Sequence, residues 1–204
     1  MDGTRQNPPA RGEAGDPREV WEEATLGEGP MWVFAYGSLI WNPGFAPAER
    51  RLATLRDFRR SFSMRSIHHR GSEARPGLVL ALDFEEGAAC RGVALRLPEE
   101  GQGEALRTLR ERELVSSAYV ERAVRLETGV GPLGALAFVM SRDHPQYAGG
   151  LPLDVQAGII ATAHGGRGPN DEYLFSTVEA LASLDIRDAE LERLADLVRA
   201  RRAA

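Results

Sequence analysis

The sequence contains no lysine; all 25 of its basic residues are arginine. That absence excludes Schiff-base catalysis and the lysine of a phosphate-binding P-loop. It has one cysteine, Cys90, which excludes an internal disulfide framework and a multi-cysteine zinc site. It has four histidines, His68, His69, His144 and His164. No pair of them has the helical spacing of a zinc site, so no metal is expected. Long apolar runs are missing as well. None approaches 18 residues, so no membrane span is expected. The first residues lack the apolar stretch of a secretory signal, and a cytoplasmic location is expected. Positive charge is in deficit: 30 acidic residues give a net charge of −5. A nucleic-acid partner is not expected on that balance.

What is present describes an ordinary globular chain. Apolar residues are 43% of the 204 and charged residues 27%, enough to bury a core without staples. Residues 1–30 differ from the rest. They are rich in Pro, Gly and mixed charge and poor in large apolar side chains, so a disordered extension is expected. One short helix is predicted within it at 17–24, with Asp16 as its N-cap. The ordered domain is expected over 31–204. Residues 31–36 form a continuous apolar run ending in Gly37-Ser38, which suits a buried strand turning into a loop. Further strands are predicted at 60–65, 78–84, 91–97, 119–126 and 133–140, with Glu85-Glu86-Gly87 as a turn between the second and third of these. Helices are predicted at 103–114, 152–163, 170–183 and 188–202. Strands first and helices last is an α+β pattern, and six or so short strands suit a small mixed or antiparallel β-barrel with helices around it.

Five places bear on chemistry. In Tyr36-Gly37-Ser38-Leu39 a buried strand delivers a glycine to a turn, where successive N–H groups can form an anion-binding nest. An ordinary strand-ending turn reads the same way. Glu113 falls four residues after Leu109 and seven after Leu106, so it shares their apolar helix face, while Glu111 points away. A buried carboxylate either serves as a general acid or base or pairs with a neighbour such as Arg110. The segment from Gly165 to Asn170 lacks the spacing of a dinucleotide fingerprint. Its expected task is to end one helix and start the next, with Asn170 as N-cap. His68 and His69 beside Arg70 read as a surface loop or a polar pocket wall, and Cys90 as a structural thiol.

Taken together, these segments resemble one family. The run from Met31 to Trp41 is similar to the opening of the ChaC family of γ-glutamylcyclotransferases. The likeness continues through His69-Arg70-Gly71 with Pro76-Gly77, Arg112-Glu113-Leu114 with Tyr119, Phe138 to Met140, His144 to Tyr147, and Gly168 to Asn170 with Glu172 to Phe175. It spans 31–184. The resemblance implies a γ-glutamylcyclotransferase-like barrel with surrounding helices. It implies cleavage of glutathione to 5-oxoproline and cysteinylglycine without a cofactor. It implies Glu113 as the catalytic acid/base, with Val33, Phe34, Ala35, Tyr36, Gly37, Ser38 and Leu39 cradling the γ-glutamyl group and Tyr173 nearby. An arginine, Arg70 or Arg112, is expected to meet a substrate carboxylate, and Arg70 is taken as a substrate-binding residue. The partner is then a small molecule, neither membrane nor nucleic acid, and the protein a monomer. Two other readings share these motifs: a cyclotransferase for other γ-glutamyl amino acids or amines, and a non-enzymatic regulator of a cation transporter. Ala35 stands where the family usually has glycine. Residues 114–119 lack the glycines often found before that tyrosine, which bears on loop mobility.

Overall fold

The computed structural model describes residues 29–203. The expected extension lies outside them except for Gly29 and Pro30, and the helix predicted at 17–24 lies wholly outside. The apolar run after Pro30 forms β1 (Trp32–Ala35), in which Val33, Phe34 and Ala35 have no exposed surface. A strand buried on both faces needs partners on both sides, and it has them. It pairs antiparallel with β3 (Gly77–Arg96) and parallel with β5 (Gly131–Met140). With β2 (Glu49–Ser66) and β4 (Tyr119–Thr128) these strands close a barrel in the order β1-β3-β2-β4-β5. The single parallel pair makes the barrel mixed, and the fold class is α+β as expected. Phe34, Phe58, Phe62, Phe138 and a layer of leucines fill the core.

Two strands are longer than predicted. The expected strand at 60–65 is the end of β2, which starts eleven residues earlier, at Glu49. Arginines at 50, 51, 56, 59 and 60 hide its alternation, because long stems can lie along the sheet with the charged head at its edge, and Arg60 turns its head into the core. Arg51, for example, lies over the Trp32 ring at 4.6 Å. The strands predicted at 78–84 and 91–97 are one strand, β3. The turn signal between them is a bulge: the pairing steps from Phe58 opposite Phe84 to Arg56 opposite Ala89. Gly87 (φ +79°) and Asp57 (φ +59°) absorb the distortion, and the Asp57 carboxylate accepts the Gly87 N–H at 2.8 Å. Bulges bend and twist a strand, which suits one that must curve around a barrel.

Four helices follow or interrupt the strands: α1 (Gln102–Glu113), α2 (Leu153–Thr162), α3 (Asn170–Ser183) and α4 (Ala189–Ala203). In α4, Leu191, Leu194, Ala195 and Val198 form the buried stripe, with Glu190 and Glu192 in the first turn and Arg201 and Arg202 in the last. That charge order complements the helix dipole. Asp171, buried at the start of α3, pairs with Arg202 and ties the two helices together. Between α2 and α3 the glycine-rich segment does more than end one helix and start another. It folds into a small hairpin of β6 (His164–Gly165) and β7 (Gly168–Pro169). The cap of α3 is Pro169. Asn170, expected as that cap, is instead fully buried, and its side chain grips the edge of β3. Its Oδ1 accepts the Leu78 N–H and its Nδ2 donates to the Leu78 carbonyl, both at 2.6 Å. A side-chain amide carries the same donor and acceptor as a peptide unit, so it extends the ladder by one rung.

Candidate active site

Glu113 is the last residue of α1. Its helix face is Ala105 and Leu109, both buried, with Leu106 at the margin. The carboxylate continues that face, and its side chain is only 15% exposed, whereas the Glu111 side chain is 71% exposed. Burial raises its pKa above the ordinary carboxylate range, while the charges of Arg112 and Arg167 pull the other way. Its place at the helix C-terminus, the negative end of the dipole, also disfavours the ionised form. Arg110 is not the partner: it turns outward and clasps Glu121 with two bonds of 2.7 Å. The partner is Arg112, whose Nε lies 3.1 Å from the carboxylate. Arg112 also donates to the Asn42 carbonyl at 2.6 Å and to the Ser38 hydroxyl at 2.8 Å. One guanidinium thus ties the end of α1 to the turn after β1.

That turn carries the first sequence motif. After β1 the chain passes Tyr36 and Gly37 into a short 3₁₀ turn, Ser38–Ile40. The first N–H groups of such a turn have no partner within it. Gly37 is closely surrounded: a Cβ there would sit 3.2 Å from the Tyr173 hydroxyl. The carbonyl of Tyr36 is held by buried Arg60 at 2.7 Å, and Arg60 pairs in turn with Asp188 at 3.0 Å. Tyr36 to Leu39, Glu113, Tyr119, Tyr173, Leu80 and Phe138 enclose a small recess. Its three phenols are buried and neutral. Tyr36 donates to the Phe138 carbonyl at 2.8 Å and Tyr119 to the Leu80 carbonyl at 2.7 Å. Tyr173 accepts the Leu80 N–H at 3.4 Å, and burial pushes its pKa up to about 12.

The recess opens into a larger cleft that shares Ser38, Glu113, Tyr119 and Tyr173 with it. The outer wall comes from the loop between β2 and β3, with His68, His69 and Arg70, and from Gln146 and Arg167. Arg70 is 7% exposed. Its guanidinium donates to the Pro169 carbonyl at 3.0 Å, pairs with Glu172 at 3.3 Å and lies over the Tyr173 ring at 5.8 Å. Val33, Phe34 and Ala35 line neither recess nor cleft. Ala35 pairs with Val93 inside β1, where a methyl group is accommodated. Arg112, expected with Arg70 as an arginine to meet a substrate carboxylate, lies in the cleft but is engaged with Glu113, Ser38 and Asn42. Gln146 and Arg167 are not expected as site residues from the sequence: Gln146 lies within the His144 to Tyr147 motif, and Arg167 enters by long-range docking. Cys90 is buried in β3 with its pKa pushed up to about 11, the setting of an inert thiol. Among the described residues no group of three or more His, Cys, Asp or Glu is placed to hold a metal ion, and no helix is long and apolar enough to cross a membrane.

The arrangement offers one desolvated carboxylate, a set of backbone donors and a cationic outer cleft. It can bind an anionic molecule and move a proton at its buried end. A family model described as ChaC-like protein matches residues 31–201. A protein of Escherichia coli strain K12, named glutathione-specific γ-glutamylcyclotransferase, is 39% identical over 82% of this chain and 72% of its own length. Rat glutathione-specific γ-glutamylcyclotransferase 1 is 34% identical over 94% of this chain and 87% of its own. The crystal structure of a yeast γ-glutamyl cyclotransferase specific to glutathione superposes with a TM-score of 0.78 at 25% identity. It covers 84% of this chain and 96% of the yeast chain.

Proposed function

Because this chain belongs to the ChaC-like family, we propose that it is a glutathione-specific γ-glutamylcyclotransferase working through Glu113. The observation that carries the assignment is the Glu113 carboxylate, buried at the bottom of a cleft beside the start of the Ser38–Ile40 turn. The reaction is intramolecular. The α-amino nitrogen of the γ-glutamyl group attacks its own γ-carbonyl carbon and closes a five-membered ring. The bond to the cysteinyl nitrogen then breaks, giving 5-oxoproline and cysteinylglycine. The substrate ammonium first gives one proton to solvent, and the amine attacks. The attacking nitrogen then sheds a second proton, which Glu113 takes and hands to the leaving cysteinyl nitrogen; that amine takes up a proton from water, so no net proton is consumed. A carboxylate of raised pKa is suited to both halves. N–H groups of the 37–39 turn stabilise the oxyanion of the tetrahedral intermediate, a contribution of roughly 2.7–4 kcal/mol per donor in other enzymes.

The reading extends to a cytoplasmic monomer with a small-molecule substrate and no cofactor. Its catalytic domain is 31–204, and residues 1–30 are dispensable. Their composition cannot bury a core. Deleting them is expected to leave the melting temperature and turnover nearly unchanged.

The deciding experiment is incubation of the purified protein with reduced glutathione, following 5-oxoproline by chromatography. Glu113→Gln is expected to lower turnover by about 10³–10⁴-fold, toward the upper end for loss of a general acid–base group. Glu111→Gln is expected to retain activity. Equal turnover of γ-glutamyl-alanine and glutathione would move the assignment to a general cyclotransferase. Full activity in Glu113→Gln would remove the carboxylate from the chemistry.

A further inference from the structure

The cleft is built to receive negative charge. Three arginines and two histidines line it against one carboxylate, Glu113, in a chain of net charge −5. Two of those arginines are already engaged. Arg112 holds Ser38, Asn42 and Glu113, and Arg70 holds Pro169 and Glu172. Arg167 differs from both. It is exposed at the tip of the β6–β7 hairpin. Among the described residues its guanidinium forms no ion pair and donates no hydrogen bond.

Its base is nonetheless fixed. The Arg167 N–H donates to the His69 carbonyl at 2.9 Å, and the Gly166 N–H to the His68 carbonyl at 2.8 Å. Gly165 packs so closely on His69 and Gly71 that a Cβ has no room there. The hairpin is therefore clamped to the loop that forms the outer wall. Its charge reaches across the cleft: burial raises the Glu113 pKa and Arg167 opposes that rise, while burial lowers the His69 pKa and Arg167 adds to the fall.

We propose that Arg167 binds the C-terminal carboxylate of the substrate's peptide tail and thereby sets the preference for the tripeptide over shorter γ-glutamyl compounds. This rests on the cyclotransferase reading above. If the γ-glutamyl end enters the recess at Glu113, the other end of the molecule emerges at the mouth, where Arg167 stands beside His68 and His69. A planar guanidinium with free donors takes a carboxylate through two parallel N–H···O bonds.

The test compares glutathione with its C-terminal carboxamide, which keeps the shape of the tail and removes the charge. The wild type is expected to prefer glutathione by about ten- to hundredfold in kcat/KM, the worth of hydrogen bonds to a charged group. Arg167→Gln is expected to lose that preference, the KM for glutathione rising to that for the carboxamide, while any change passed on through Glu113 falls on both substrates alike. Arg167→Lys is expected to recover part of it. A wild type that does not distinguish the two substrates overturns the assignment. So does an Arg167→Gln variant that loses activity equally on both, which is the mark of a structural role. Absence of 5-oxoproline from either substrate in the wild type overturns the cyclotransferase reading itself, and this assignment with it.

Discussion

Asn170 gives a sharp test of how this fold holds its site. If it were a replaceable helix cap, Ser or Asp would serve in its place, since all three are good N-caps and exchange within a few tenths of a kcal/mol. The structure gives it another task. Its amide makes two 2.6 Å hydrogen bonds to the N–H and C=O of Leu78, in a site with no exposure at all. Asn170→Ser leaves both backbone groups without these partners. Each buried group stripped of its partner costs roughly 1–3 kcal/mol, so the pair costs about 2–6 kcal/mol. In a domain of this size each kcal/mol moves the melting temperature by about 2–4 °C. Thermal unfolding should therefore fall by about 4–24 °C.

Asn170→Asp adds a second arm. An ionised carboxylate still accepts the Leu78 N–H but faces the Leu78 carbonyl with no proton to donate. A protonated carboxyl restores both bonds. Burial and the facing carbonyl raise the folded-state pKa of such an aspartate, so the folded state binds the proton more tightly than the unfolded one. Stability is then lost as pH rises, and the variant should melt closer to wild type at pH 5 than at pH 8. Circular dichroism melts at the two pH values, with amide exchange at Leu78, measure this directly. If both variants melt within about 2 °C of wild type at pH 8, the side chain is not bonded to β3 as described.

The same logic gives three shorter expectations. The raised pKa of Glu113 means that its ionised form weakens the folded state once pH exceeds the unfolded carboxylate pKa; Glu113→Gln should melt higher than wild type at pH 8, and the gap should close toward pH 4. Arg112 lowers the Glu113 pKa, so Arg112→Gln should move the acid limb of kcat/KM to higher pH while reducing its plateau. Gly37→Ala should fold, but its Cβ would press on the Tyr173 hydroxyl at 3.2 Å and cost about tenfold in kcat/KM, judged by thermal melts beside steady-state kinetics.

Much of this was legible in the sequence where the signal is local. The phase of Leu109 and Glu113 put a carboxylate on a buried helix face, and the apolar run from Met31 delivered a strand to Gly37. The partner of Glu113 was harder to find. Arg110 stood nearer its face, but helix geometry sends Arg110 out to Glu121 on β4, and Arg112 crosses to Ser38 on a distant turn. The extent of β2 was obscured by arginines that occupy strand positions without breaking the strand. The outer cleft left the least trace. Its walls meet through backbone bonds between 68–69 and 166–167, and backbone bonds place no constraint on side-chain pattern. A hairpin of four paired residues is also too short for any periodicity to show.

The residues that the chain lacks are consistent with the chemistry proposed for it. An enzyme that supplies its own nucleophile, such as a lysine or a cysteine, needs that group made reactive by its setting; the chain has no lysine, and its one cysteine is buried with its pKa pushed up to about 11. Here the nucleophile arrives on the substrate, as the amine of the γ-glutamyl group. What remains for the protein is to fold that group onto itself and to carry one proton a short way. Orientation of this kind can supply several kcal/mol of the barrier. It calls for rigid walls, and the three hydrogen-bonded tyrosines and the Arg60-held Tyr36 carbonyl provide them. The proton calls for one carboxylate with a raised pKa, and among the described residues Glu113 is the only carboxylate that lines the cleft. Arginine is the better base for such walls than lysine would be. Its planar head can hold two or three fixed acceptors at once, as Arg112 and Arg70 do, and it remains charged when buried.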